Sequence, residues 1–265
     1  MKALTLVDPG VSSRAFYFPD KVPEGIEYSV KKGKYYGYNV ESIIDYGWGC
    51  AWRCIQMMLY HHLVDTNKTS LMLSFKDLFN QFGSKAVLVD IYKKMNNLET
   101  APAFLEEKKF APHDLSSGWA EPFIGQLVLS SFGKQCQLAL INGYPVEANA
   151  HVDAFPKEPL TFDQFIQLLL KHFKGSNPGP VMIDDATFSI CIIGIGINKG
   201  LINLWIADPH INTTGDASVG LCTVTLDKEG KLLKSSVTPD QEKFLYHKGA
   251  SSRIYFNTKP WMVLL

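Results

Sequence analysis

No apolar run in this chain approaches the roughly 18 residues that a membrane-spanning helix requires, so membrane insertion is not expected. A secretory signal pattern is missing too: Met1 to Val7 has one lysine and too short an apolar stretch, and Asp8-Pro9 ends it. Neither sign of charge is in excess. Lys plus Arg and Asp plus Glu number 26 each, which argues against a general electrostatic grip on nucleic acid or acidic lipid. The five cysteines are an odd number and scattered, which fits a reducing compartment better than a disulfide framework. A cytoplasmic protein is therefore expected. Without a signal, Asn67-Lys68-Thr69 and Asn212-Thr213-Thr214 read as chance matches to the glycosylation pattern. Internal repeats and low-complexity segments are also lacking. What remains is a chain of 265 residues with a hydrophobic fraction of 46%, enough for a full core and read as one domain over 1–265.

The most informative stretch runs from Asp45 through Trp48, Gly49 and Cys50 to Met58. Gly47 and Gly49 supply backbone freedom for a tight turn, and Ala51 to Leu63 contains no Gly or Pro and reads as a helix. Cys50 then falls in the first helical turn, where unpaired N–H groups and the positive dipole end favour an anion. A thiolate is such an anion and is the attacking form of cysteine, so the layout suits a nucleophile. The same residues also fit a small buried hydrophobe.

Turn formers fill residues 8–34, with short strands between them, and the basic then aromatic run from Lys31 to Tyr38 reads as a solvated edge. Residues 70–108 read as two or three helices, with Phe75, Leu78, Phe79 and Phe82 at helical spacing. A loop around Trp119 leads to a helix ending near Phe132 and a strand from Cys136 to Ile141. Thr161 to Lys174 carries a capping-box pattern and one apolar face, with Gly175 just past its end. Val181 to Ile183, Phe188 to Ile197 and Leu201 to Ala207 are nearly continuous in apolar residues, as central strands are. Asn198-Lys199-Gly200 joins the last two as a hairpin; Leu221–Leu226 and Leu232–Val237 form a second; Ile254 to Leu265 closes the chain as a strand with Pro260 at an edge or bulge. Helices early and strands late predict an α+β fold.

After the Leu201–Ala207 strand stands Asp208-Pro209-His210. Residues two apart in extended chain point the same way, and Pro209 biases Asp208 toward extension. A carboxylate beside an imidazole orients it and stabilises its cation. The triplet alone also fits a surface turn. His61 and His62 are adjacent and lack the spacing by which a helix holds zinc. Cys50 and Cys54 lie one turn apart, but nothing completes a metal or redox site with them, so no metal or cofactor is expected and Cys54 reads as core. His113, His151, His172 and His247 read as exposed.

Together, Gly47-Trp48-Gly49-Cys50-Ala51-Trp52-Arg53-Cys54-Ile55-Gln56 and Asp208-Pro209-His210 resemble the UFM1-specific proteases, peptidase family C78. The resemblance implies a papain-like cysteine peptidase fold, with a helix-rich N-terminal part packed on a mainly antiparallel C-terminal sheet. It casts Cys50 as nucleophile, His210 as general base and Asp208 as its orienter. A tyrosine twelve residues before the nucleophile, here Tyr38, would help form the oxyanion hole. The implied activity is cleavage after the C-terminal glycine of a ubiquitin-like modifier, UFM1 foremost, on its precursor, its conjugates or both. Recruitment to the endoplasmic reticulum surface would then come through a partner. Trp48 and Gly49 would line a narrow cleft beside Asp184 and Asp185. Two departures stand out: Trp52 replaces a Tyr, and Asp184-Asp185 stands where the family often has a Gly-rich loop. Atg4-type proteases, which act on Atg8-type modifiers, share Gly-Trp-Gly-Cys and Asp-Pro-His and are the nearest rival. A binding domain that has lost activity is the non-enzyme alternative.

Overall fold

The apolar run after Phe188 becomes the axis of the sheet. The computed structural model describes residues 15–38, 40–41, 43, 45, 48–102, 120–143, 155–210, 220–236 and 254–265. Its strands are β1 (Phe16–Tyr17), β2 (Tyr28–Ser29), β3 (Lys34–Tyr35), β4 (Leu138–Ile141), β5 (Val181–Asp184), β6 (Ser189–Asn198), β7 (Leu201–Ala207), β8 (Leu221–Leu226), β9 (Leu232–Ser235) and β10 (Trp261–Leu264). Its α-helices are α1 (Cys50–Asp65), α2 (Phe75–Phe82), α3 (Lys85–Asn96), α4 (Pro122–Ser131) and α5 (Phe162–Phe173). The main sheet runs β4-β10-β5-β6-β7-β8-β9, antiparallel throughout, with β2 added to β6 beyond the end of β5.

All of β5 and the first eight residues of β6 are buried, which is why they carry unbroken apolar sequence. By contrast, β8 alternates half-buried and buried residues, as a strand with one wetter face does. Lys199 and Gly200 both take positive φ, 50° and 78°, which makes the β6–β7 connection a two-residue turn whose twist suits a hairpin. At Gly196 a Cβ would lie 2.0 Å from the carbonyl oxygen of Gly25, so glycine there lets the segment before β2 cross the strand.

Helix α1 is buried on nearly every side, with twelve of its residues inside, and it packs on β5, β6, β3, α2 and α4. Helix α4 in turn lies against β10. In α2 the periodic residues Phe75, Leu78, Phe79 and Phe82 are the buried face, and the Ser74 side chain caps it on Asp77 N at 3.1 Å. Helix α5 carries the expected capping box between Thr161 and Gln164. The early helices and later antiparallel sheet make the α+β, papain-like arrangement.

Three expectations change. The run from Lys31 to Tyr38 is not a solvated edge, because Tyr35, Tyr36 and Tyr38 are buried against the core. The final strand begins only at Trp261. Pro260 cannot donate to a ladder and so stands at the entrance of β10, which lies between β4 and β5 and not at an edge. His172 is half-buried, its Nε2 2.8 Å from the Gly179 carbonyl. Gly47, Trp119, His113, His151, His247 and Val237 lie outside the described residues.

Candidate active site

Cys50 is the first residue of α1 and is nearly buried. The turn before it is held from below. Asp45 O accepts from Gly49 N at 2.7 Å and from Trp48 N at 3.3 Å, while the Asp45 carboxylate accepts from Arg53 Nε at 2.6 Å. Arg53, fully buried one turn into the helix, also donates to Val40 O at 2.8 Å and to Gln56 Oε1 at 3.0 Å, and its guanidinium lies over the Phe75 ring at 4.1 Å. A single buried cation thus fastens the approach to the nucleophile, desolvated but paired on several sides. Gly49 has φ −89°, which any residue adopts. Glycine is needed there for space, since a Cβ would meet Asp45 Oδ2 at 2.6 Å. Trp48 is half-buried and leans edge-on against Phe75 and Phe79 of α2, ring centroids 5.6 and 5.5 Å away.

Asp208 and His210 arrive from the other side of the molecule, just past the end of β7. The triplet is a turn and not the extended chain its sequence suggests. Pairing still results, because Asp208 Oδ1 accepts from both the main-chain N and the ring Nδ1 of His210, at 2.9 and 2.7 Å. Both residues are buried. With Nδ1 taken by Asp208, the imidazole also interacts with the neighbouring Cys50 thiol. Burial disfavours the imidazole cation, but the charge and hydrogen bond of Asp208, joined by those of Cys50, outweigh it and push His210 up to about 10. Tyr38 lies next to Cys50 as well, and its ring meets that of His210 edge-on at 5.2 Å. Burial first, then the neighbouring Cys50, hold the Tyr38 phenol well above its ordinary range, so it stays a donor. The structure therefore brings Cys50, Asp208, His210 and Tyr38 to one point.

Asp184 ends β5 and Asp185 begins the turn that follows, both buried. Asp184 accepts from Ala186 N at 2.6 Å and from the Ser189 hydroxyl, and Asp185 accepts from Thr187 N and Phe188 N at 3.0 and 2.8 Å. Burial pushes Asp184 up to about 7, against the two hydrogen bonds to it. Cys54 is core, one turn below the nucleophile, its thiol held high by burial and by a hydrogen bond with Cys191. Sequence reading missed the structural parts of Tyr35, Asp45 and Phe188. The Asp45–Arg53 spacing of eight residues carries no helical signature, and Phe188 looks like any strand residue.

A model of peptidase family C78 matches residues 26–223, a span that holds Tyr38, Cys50, Asp208 and His210. No curated protein matches the sequence. Among solved structures, the crystal structure of UfSP from C. elegans is similar at 17% identity and a TM-score of 0.53, over 93% of this chain and 35% of that one. The chain thus spans about a third of the length of that structure, and at this identity the likeness concerns the fold.

Proposed function

Since this chain belongs to peptidase family C78, a family of cysteine peptidases, we propose that it cleaves after the C-terminal glycine of a ubiquitin-like modifier, with UFM1 the first candidate. The observation that carries the reading is the buried Asp208–His210 hydrogen bond beside Cys50 at the start of α1, with the Tyr38 ring packed on the same imidazole. In this mechanism Asp208 fixes the imidazole tautomer and stabilises its cation. Cys50, as a thiolate beside that cation, attacks the glycyl carbonyl. The tetrahedral oxyanion takes hydrogen bonds from the Cys50 main-chain N–H and from Tyr38, a donor that gives up no proton at working pH. His210 then protonates the leaving amine, which leaves a thioester. Water, deprotonated by the now neutral His210, attacks the thioester, which releases the modifier with a free C-terminal carboxyl group and restores the Cys50 thiolate beside the His210 cation.

Substrate choice follows from the surroundings of the sulfur. The Tyr38 and Phe188 rings pack on His210, and Trp48 stands two residues before Cys50, so a tail ending in small residues suits the entrance. Incubation with a panel of modifier precursors, each with a short extension after its glycine, tests the reading. Release of the extension from the UFM1 precursor is expected, with none from Cys50→Ser protein. Selective cleavage of Atg8-type precursors would move the substrate to the rival class. A thiol-reactive modifier probe that fails to label Cys50 would point to a binding domain.

A further inference from the structure

We propose that the turn from Asp184 to Ser189 is a positioning element for His210 and that Phe188 is the side chain through which it acts. The proposal rests on the reading of Cys50 and His210 as the reacting pair. The Phe188 ring meets the imidazole edge-on, with centroids 5.3 Å apart and planes at 78°. It is half-buried, whereas His210 beneath it is 2% exposed, so Phe188 covers the ring.

The turn is built to hold that side chain still. Asp185 N donates to Phe188 O at 3.3 Å, and Asp185 Oδ1 accepts from Phe188 N at 2.8 Å. Lys259, at the entrance of β10, donates to the second Asp185 oxygen at 3.0 Å. Asp184, one residue earlier, grips Ala186 N and the Ser189 hydroxyl. Between them Ala186 sits at φ 68°, a region that a side chain disfavours and that persists only where its surroundings enforce it. This much structure is more than joining β5 to β6 requires, since those strands are already adjacent and antiparallel.

The chemical reason lies in how His210 is held. Its bond to Asp208 through Nδ1 anchors one end of the ring, and the Tyr38 and Phe188 rings bound the imidazole edge-on. The opposite nitrogen must stay aimed at the sulfur in one step and at the leaving nitrogen in the next. An aromatic edge against the ring limits the swing without adding a competing hydrogen bond. The charged or titratable groups that face His210 are Cys50, Asp208, Tyr38 and Asp184, and Phe188 adds none.

The test uses Phe188→Ala, Phe188→Leu and Asp185→Asn in the whole chain. Two readouts are taken: kcat and KM on a modifier precursor, and the pH profile of Cys50 alkylation by iodoacetamide, which needs no substrate. Phe188→Ala is expected to lower kcat by about 10- to 100-fold with KM within about twofold, the size that a small misalignment produces. Its alkylation profile should differ from that of the wild type. Phe188→Leu should restore both, and Asp185→Asn should shift both in the same direction by less. A wild-type kcat and an unmoved profile in Phe188→Ala would overturn the proposal, as would a loss confined to KM, which would make Phe188 a substrate wall. If Phe188→Ala does not fold, the Asp185→Asn profile decides alone. A wild-type chain that cleaves no precursor would overturn the reading of function, while the alkylation arm would still decide the role of Phe188.

Discussion

The Tyr35 hydroxyl donates to the main-chain carbonyl of Asp208 at 2.7 Å, joining two buried residues 173 positions apart. Three residues later Tyr38 N donates to the carbonyl of Pro209 at 3.0 Å. The segment that carries Tyr38 is thereby stitched to the turn that carries Asp208 and His210, so the donor and the base move as one body. Gly220 makes room for it: a Cβ there would lie 2.1 Å from the Tyr35 ring.

Tyr35→Phe removes only a hydroxyl and with it the hydrogen bond to the buried Asp208 carbonyl. The expected cost is about 0.5–1.5 kcal/mol of stability, visible as a lowered thermal midpoint, together with a fall in kcat larger than any change in KM. Gly220→Ala should be the more damaging of the two, because a ring must shift. Unchanged melting in Tyr35→Phe would remove Tyr35 from this role.

In the reacting pair, Cys50→Ser should abolish turnover and Cys54→Ser should keep most of it, since the Cys54 thiol lies in the core. His210→Ala should lose several orders of magnitude, and Asp208→Asn somewhat less. Single-turnover assays with folding checked by circular dichroism decide this. Equal loss in Cys50→Ser and Cys54→Ser would point to a cysteine pair instead.

Tyr38→Phe takes one donor from the oxyanion and little volume, which typically costs about 10²–10³ in rate, or roughly 2.7–4 kcal/mol. The loss belongs in kcat, because the charge exists only in the transition state. Tyr36→Phe is the control. A nearly silent Tyr38→Phe would make Tyr38 a packing residue.

Two groups give stability a pH dependence of the same sign, falling as the pH rises, in two different windows. His210 is pushed up to about 10 by Asp208 and Cys50 in spite of burial, so its contribution is full below its ordinary 6.5 and fades as the pH rises toward about 10. The gap in thermal midpoint between wild type and His210→Ala should therefore close across that window. Asp184 is pushed up to about 7, chiefly by burial, so the folded state holds its proton longer than the unfolded one does. Its contribution is full below 3.8 and falls as the pH rises to about 7. Asp184→Asn should gain on wild type over the same interval. Melting curves from pH 4 to 10 check both signs.

Arg53 and Asp45 are both fully buried and paired at 2.6 Å. Arg53→Ala takes the paired cation away from the buried Asp45 carboxylate, at a cost of about 3–5 kcal/mol. The double variant Asp45→Asn with Arg53→Met should lose less stability than Arg53→Ala in chemical denaturation, because neither fully buried charge of the pair remains and Glu41, the other partner of Arg53, is partly exposed. An additive loss would show that the pair acts through packing alone.

Local sequence set much of this protein. The run of helix formers after Cys50 put the nucleophile in a first turn, the alternation of turn formers with apolar runs gave β5 to β8, and the capping box fixed the start of α5. These features rest on interactions a few residues apart, so they can be read from spacing. Cys50 and the Asp-Pro-His triplet were legible as candidates, but 158 residues separate Cys50 from Asp208 and no spacing rule spans that distance. Only the antiparallel sheet, packed on α1, brings the end of β7 to the start of the helix. The same packing decided that the tyrosines after Lys34 are buried, that Pro260 opens a central strand, and that Phe188 meets His210. Each of these depends on which surfaces find one another when water is excluded, a property of the assembled core that no single segment carries.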